Sequence, residues 1–145
     1  MRAIKPFQDF LTEGIVKKQT ADHARAQFLL NETEKSYLFI ETLVKEMKIT
    51  ENNANSIIKL CYDVIMELLR AKMIQEGYNA TGQGAHEAEV AYLREIGCSE
   101  NDVQFADQMR YFRNRIMYYG KILDKEYAET VFAFMKRIYP LLKKK

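Results

Sequence analysis

Apolar residues recur at steps of three and four positions along most of the chain, the spacing that places side chains on one face of an α-helix. The pattern predicts six helices, over residues 6–11, 20–48, 54–76, 86–96, 100–120 and 124–142. Prolines and glycines lie at their boundaries, and we find no segment with strand periodicity. We therefore predict one all-α domain over residues 1–145, an up-and-down bundle of four or five helices. Residues 1–18 form an N-terminal extension and 140–145 a tail.

The second long helix has an unusually wide apolar arc. One stripe begins at Ile57 and another, beside it, at Ile58. A helix that buries one face needs an apolar arc of only about 100°. Two explanations are open: the helix is central and packs on several neighbours, or its second stripe contacts a second copy of the protein. The remaining polar edge is narrow and consists of Lys59, Asp63, Glu67 and Arg70.

Composition and charge limit the kinds of function that this protein can have. The chain has 145 residues, 48% of them apolar, and a net charge of +2, so it has enough apolar residues for a core but no broad basic surface for nucleic acid. Its two cysteines form no CxxC pair, and no stretch approaches the roughly 20 apolar residues of a membrane span. We expect a cytoplasmic protein with reduced thiols and no membrane contact.

The sequence contains no pattern of metal or nucleophile chemistry. There is no HExxH or paired-cysteine spacing and no Gly-x-Ser-x-Gly turn, so we predict no metal and no cofactor. The two histidines, His23 and His86, are interpreted as a surface residue and a helix-start residue. Their separation permits a shared site without indicating one.

The densest basic and aromatic cluster is MRYFRNRIMYYGKIL, residues 109–123. On a helix, one face carries an apolar set and the opposite face a polar and aromatic one. The apolar set is Phe105, Met109, Phe112, Ile116, Tyr119 and Leu123, and the opposite set is Arg110, Arg113, Asn114, Met117 and Tyr118. We interpret the second set as an outward surface for a partner or a polyanion, since arginine presents fixed, charged donors to phosphate. The alternative is that its arginines only form ion pairs with Asp107 or a neighbouring helix.

The segment RYFRNRIMYYGK, near the end of the penultimate helix, resembles the signature of the HEPN family (higher eukaryote and prokaryote nucleotide-binding). The preceding GYNATGQGAHEAEVAYLRE is similar to the segment before the signature in prokaryotic members, and the resemblance spans about residues 20–139. It implies a helical bundle that forms homodimers in which both motifs line one cleft. Active members cleave RNA without a metal, and many prokaryotic members accompany a small nucleotidyltransferase in toxin–antitoxin pairs.

Carried over by residue, the resemblance makes Arg113 the signature arginine and Asn114 the polar residue that follows it, and it places Tyr118 where the family has its catalytic histidine. Arg110 would add a second phosphate-binding guanidinium. Tyrosine ionises near pH 10 and histidine near 6.5, so lowering a phenol into the neutral range would require roughly 4 kcal/mol of stabilisation. We therefore expect RNA or nucleotide binding with weak or no catalysis.

Two alternatives stay open. One is a ribonuclease in which Tyr118 or a histidine such as His86 transfers the proton. The other is a protein whose arginines meet acidic side chains of a partner such as the nucleotidyltransferase.

Overall fold

The computed structural model describes residues 3–119 and 123–143, and within 115–119 it describes the backbone only. The described chain is predominantly helical, as predicted, with one small antiparallel sheet in which Val16 pairs with Ala80. None of the helices in this part of the chain is long and apolar enough to span a membrane. In chain order the elements are α1 (Phe7–Thr12), β1 (Val16–Lys18), α2 (His23–Met47), α3 (Ala54–Gln75), β2 (Tyr78–Ala80), α4 (Ala85–Ile96), α5 (Glu100–Tyr119) and α6 (Lys125–Lys143).

The expectation that no strand would be found was wrong at β1 and β2. Each strand has three residues, too few to show an alternating pattern that stands out from its surroundings. The sheet ties the segment before α2 to the loop after α3. Together with Ile4, Phe7 and Phe10, which are buried, it makes the N-terminal segment part of the core.

Side-chain hydrogen bonds lie at two helix starts. Just before α3, the Thr50 hydroxyl and the Asn53 side chain each accept a hydrogen bond from the other residue's backbone N–H, at 3.2 and 2.8 Å, and the Asn53 side chain makes no capping bond to the helix itself. Ser99 Oγ accepts from the Asp102 N–H at 3.2 Å at the start of α5. Pro140 does not close the last helix, which continues to Lys143 and buries Leu142.

Helix α3 lies at the centre of the bundle and contacts α2, α4, α5 and α6. Both of its apolar stripes are therefore buried within one chain; Ile57 and Ile58 are each inaccessible to solvent. Burial of this kind is the dominant stabilising term in folding. The explanation in which the second stripe contacts a second copy was wrong, because neighbouring helices already cover it.

Helix α2 has one buried stripe and an exposed apolar surface. Its buried stripe consists of Ala26, Thr33, Tyr37 and Ile40, but Met47, which follows Ile40 at helical spacing, is 61% exposed. Phe28, Leu38 and Phe39 are exposed on the outer side of the same helix.

Helix α5 is packed on two sides, which corrects the predicted division of its faces. The predicted apolar side does meet α6, where the ring centroids of Phe105 and Phe134 are 4.7 Å apart. However, Val103 and Ala106 are also buried, on a second side. Arg110 and Arg113 continue that second row at helical spacing, so they point along a packed face instead of outward. Side-chain positions of Ile116, Met117, Tyr118 and Tyr119 lie outside the description.

Candidate functional site

A polar cleft of about 260 Å³ lies where α3, the start of α4 and the C-terminal half of α5 meet. Clefts and cavities that bury most of a drug-sized ligand usually have volumes of roughly 300–1,000 Å³. The cleft therefore suits a phosphate group or one part of an extended ligand better than a wholly enclosed nucleotide. Its lining residues are Tyr62, Asp63, Met66, Glu67, Arg70, His86, Arg113 and Asn114.

Helix α3 supplies most of the floor. Asp63, Glu67 and Arg70 follow one another at steps of four and three, so they lie along one line of the helix. They belong to the narrow polar edge seen in the sequence, and that edge remains accessible because α5 and the start of α4 border it without covering it. With Arg113 opposite, the cleft contains two arginines and two acidic side chains, so it is polar without a strong excess of positive charge.

Arg113 lies in the wall of the cleft with most of its side chain shielded from solvent. Its Nη2 donates to Asp63 Oδ1 at 3.3 Å, and its Cζ is 6.0 Å from the centroid of the Tyr62 ring. Its Nε is buried and makes no hydrogen bond with any described residue. A buried donor without an acceptor costs about 1–3 kcal/mol, so this guanidinium retains unused hydrogen-bonding capacity.

Arg110 has a structural role and does not line the cleft. Its Nε donates to Asp107 Oδ1 at 2.8 Å, and the Asp107 side chain is only 3% exposed. For this residue the alternative stated from the sequence holds: the arginine forms an ion pair within its own helix. The interpretation of Arg110 as an outward phosphate ligand was wrong, because its charge compensates a buried carboxylate.

A second group of charged residues, Glu89, Arg70 and His86, borders the cleft on the α4 side. Glu89 is 4% exposed and accepts hydrogen bonds from Arg70 Nε at 2.9 Å and Arg70 Nη2 at 3.2 Å. Its Oε1 lies 3.2 Å from His86 Nδ1. Burial acts to raise the pKa of Glu89, but the hydrogen bonds from His86 and Arg70 outweigh it and lower that pKa. Glu89 is thus a carboxylate at neutral pH and holds the ring of His86.

Because an ionised carboxylate can only accept hydrogen bonds, the Glu89 contact places a proton on His86 Nδ1. The other ring nitrogen, Nε2, is then free to accept a proton when the ring is neutral. The His86 side chain is 62% exposed at the cleft, so this nitrogen is within reach of a ligand.

The Tyr62 phenol is not an acid–base candidate. Burial raises its pKa well above the ordinary tyrosine value, and the nearby charges of Arg110 and Arg113 offset only part of that increase. The phenol therefore stays neutral, and Tyr62 serves as a wall against which the Arg113 guanidinium packs.

Of the residues proposed from the sequence, the structure brings Arg113 and Asn114 to the cleft, and Asn114 is exposed there. The side chain of Tyr118 lies outside the described residues. Sequence reasoning missed the roles of Arg70 and Glu89; it interpreted His86 as a helix-start residue and named it as a proton-transfer residue only in the ribonuclease alternative. One signal was available: His86 and Glu89 are three positions apart on a predicted helix, a spacing that lets them contact each other.

Within the described residues, no three His, Cys, Asp or Glu side chains are grouped so that they could hold a metal ion. No protein-family model matches the chain, and it shows no significant similarity to curated proteins or solved structures. The resemblance to the HEPN family therefore depends on the two sequence segments alone, and the cleft is the structural evidence on function.

Proposed function

We propose that the protein binds the phosphate groups of RNA or of a nucleotide in the cleft between α3, α4 and α5, through Arg113 and Asn114. The observation that carries the proposal is the state of Arg113: it is held against the Tyr62 ring, it borders an open cleft, and its buried Nε has no acceptor among the described residues. A phosphate oxygen is a strong acceptor for a guanidinium that borders the cleft, and arginine binds it with charge-assisted hydrogen bonds.

The Asp63 contact does not prevent this role. The pair is long, at 3.3 Å, and Asp63 is about half exposed. Exposed ion pairs of this kind contribute only about 0–1 kcal/mol, whereas hydrogen bonds from a charged group to a ligand contribute about 1.5–3 kcal/mol. Exchange of Asp63 for phosphate is therefore favourable. Asn114, exposed beside Arg113, can donate to a second phosphate oxygen or to a ribose hydroxyl.

Asp63→Asn is the variant that tests whether this cleft is the binding site. It removes a negative charge that competes for Arg113, so we expect binding of a labelled single-stranded RNA to strengthen by about threefold to tenfold. Fluorescence anisotropy at fixed salt measures the change. Asp9→Asn, which makes the same charge change on α1, is the control and should alter the affinity far less. Equal effects of the two variants would contradict the assignment of the cleft.

A second function, metal-independent RNA cleavage, is favoured by the Glu89–His86 pair. In such a reaction His86 Nε2 takes the proton of a ribose 2′-hydroxyl, and the oxygen of that hydroxyl forms a bond to the adjacent phosphorus. The bond from phosphorus to O5′ breaks, and O5′ takes up a proton from water. The products are a 2′,3′-cyclic phosphate and a 5′-hydroxyl end. Arg113 would stabilise the charge that develops on the phosphate oxygens.

His86→Ala tests this second function. With RNA in EDTA, we expect wild type to cleave slowly and His86→Ala to lower the rate at least about 100-fold, since a positioned general base contributes roughly 10²–10⁴-fold. His23→Ala removes an exposed histidine at the start of α2 and should leave the rate unchanged. Absence of cleavage by wild type would reject the enzyme while leaving phosphate binding in place.

The second copy inferred from the sequence remains part of the proposal, as the partner that would enclose the phosphate-binding groove. The second copy cannot contact the second apolar stripe of α3, because both stripes of that helix are buried within the chain.

A further inference from the structure

The outer side of α2 carries large apolar side chains that the fold leaves uncovered. Phe28 is 61% exposed and Phe39 is 58% exposed. They are eleven positions apart, close to three full turns, so they lie on one line along the helix. The buried stripe of α2, which contains Thr33, Tyr37 and Ile40, lies on the opposite side. This line is thus a surface feature and no part of the core.

The order of residues along this line is palindromic. Phe28, Glu32, Lys35 and Phe39 follow one another at steps of four, three and four. Read in the reverse direction, the line again presents an aromatic ring, two opposite charges and an aromatic ring. Within one chain, Lys35 Nζ lies 3.0 Å from Glu32 Oε2, and both side chains are exposed, so the pair is available for a further partner.

We propose that a second copy of this chain packs antiparallel on this face of α2, with a twofold axis between Thr33 and Glu34. In an isologous contact, if one residue meets another, the second also meets the first in the symmetry-related position. Phe28 of one copy then packs against Phe39 of the other, twice. Glu32 of one copy meets Lys35 of the other, also twice. Each acidic residue is placed opposite a basic one by the spacing alone.

The charges make this face complementary to a second copy. Under reversal Glu32 and Lys35 exchange places, so the face presents an opposite charge to each charge of an identical copy. This face of α2 lies near the Arg113 cleft. Lys35 and Phe39 line a groove together with Asp63 and Glu67, and those two acidic residues also line the Arg113 cleft. The second copy would therefore lie beside the proposed binding site, although the inference does not depend on ligand binding.

Sedimentation velocity of the full chain, from about 1 to about 100 µM, tests the interface. We expect wild type to dimerise in this range. Phe28→Glu and Phe39→Glu should each raise the dimer dissociation constant at least about 100-fold, because each change acts twice in a symmetric interface. Both side chains are exposed, so the fold should persist, and circular dichroism confirms it. Met47→Glu is the matched control: Met47 is 61% exposed on the same helix but lies off the line, so dimerisation should be unchanged.

Charge exchange tests the antiparallel register. Glu32→Lys and Lys35→Glu should each weaken the dimer about tenfold or more, because like charges then meet twice. An equimolar mixture of the two variants should recover dimerisation, since every cross contact then joins a lysine to a glutamate. A wild-type monomer throughout the concentration range, or a dimer insensitive to Phe28→Glu and Phe39→Glu, would overturn the proposal. A mixture that fails to recover would overturn the register.

Discussion

Arg113→Ala is expected to weaken binding of a short single-stranded RNA by about 10- to 100-fold. The estimate follows from the loss of one or two charge-assisted hydrogen bonds, each contributing about 1.5–3 kcal/mol where the donor is held in place and shielded from water. Arg113 meets both conditions, because most of its side chain is buried and its guanidinium packs over the Tyr62 ring. Fluorescence anisotropy with a labelled RNA measures the loss.

Two further variants separate a specific contact from a change in overall charge. Arg25→Ala removes one positive charge from an exposed position near the start of α2 and should weaken binding by less than about threefold. Arg113→Lys keeps the charge but loses the planar pair of donors, so its affinity should fall between those of wild type and Arg113→Ala. Equal affinities for Arg113→Ala and Arg25→Ala would show that phosphate is bound elsewhere.

Arg110→Ala is expected to lower the free energy of unfolding by about 3 kcal/mol at neutral pH. Removing one partner of a buried ion pair leaves an uncompensated charge, and this is much more costly than losing an exposed pair. Asp107 is that charge: its side chain is 3% exposed, and Arg110 Nε is 2.8 Å from its Oδ1. Urea denaturation followed by circular dichroism measures the change.

The same destabilisation should be largely reversed by adding Asp107→Asn to Arg110→Ala, because the double variant no longer buries an unpaired carboxylate. Lys5→Ala is the control, because it removes an ion pair that is just as short but exposed. Lys5 Nζ and Glu13 Oε1 are 2.7 Å apart, and both side chains are about half exposed. Its effect should stay below about 1 kcal/mol. A loss of similar size in Arg110→Ala and Lys5→Ala would show that Asp107 is well solvated in solution.

The local pattern of residues was sufficient to predict the helices and their ends. The three- and four-residue spacing of apolar positions identified all six helices, and Ser99 and Asp124 cap the starts of α5 and α6, because a capping hydrogen bond joins residues only a few positions apart. The two short strands were missed, since their pairing joins residues at least 60 positions apart and leaves no local signal.

The Arg113–Asn114 pair was recognised in the sequence, but its grouping with His86 and Glu89 at one cleft was not. His86 and Glu89 reach the same cleft as Arg113 only through the packing of α4 and α5 on α3. The different roles of Arg110 and Arg113 were also beyond the sequence. Both stand on one row of α5, yet one meets a buried carboxylate of its own helix and the other meets an exposed one on α3.

The sequence by itself determined that this protein is a helical bundle, where its helices begin and end, and which segment is richest in arginine and aromatic residues, because periodicity and capping act over a few residues. Only the tertiary structure decided which way α5 is turned, that α3 is covered on every apolar side, and that Phe28 and Phe39 on α2 are left uncovered. The rotation of a helix about its axis is set by the neighbours against which it packs, and those neighbours are brought together by contacts distant in the chain.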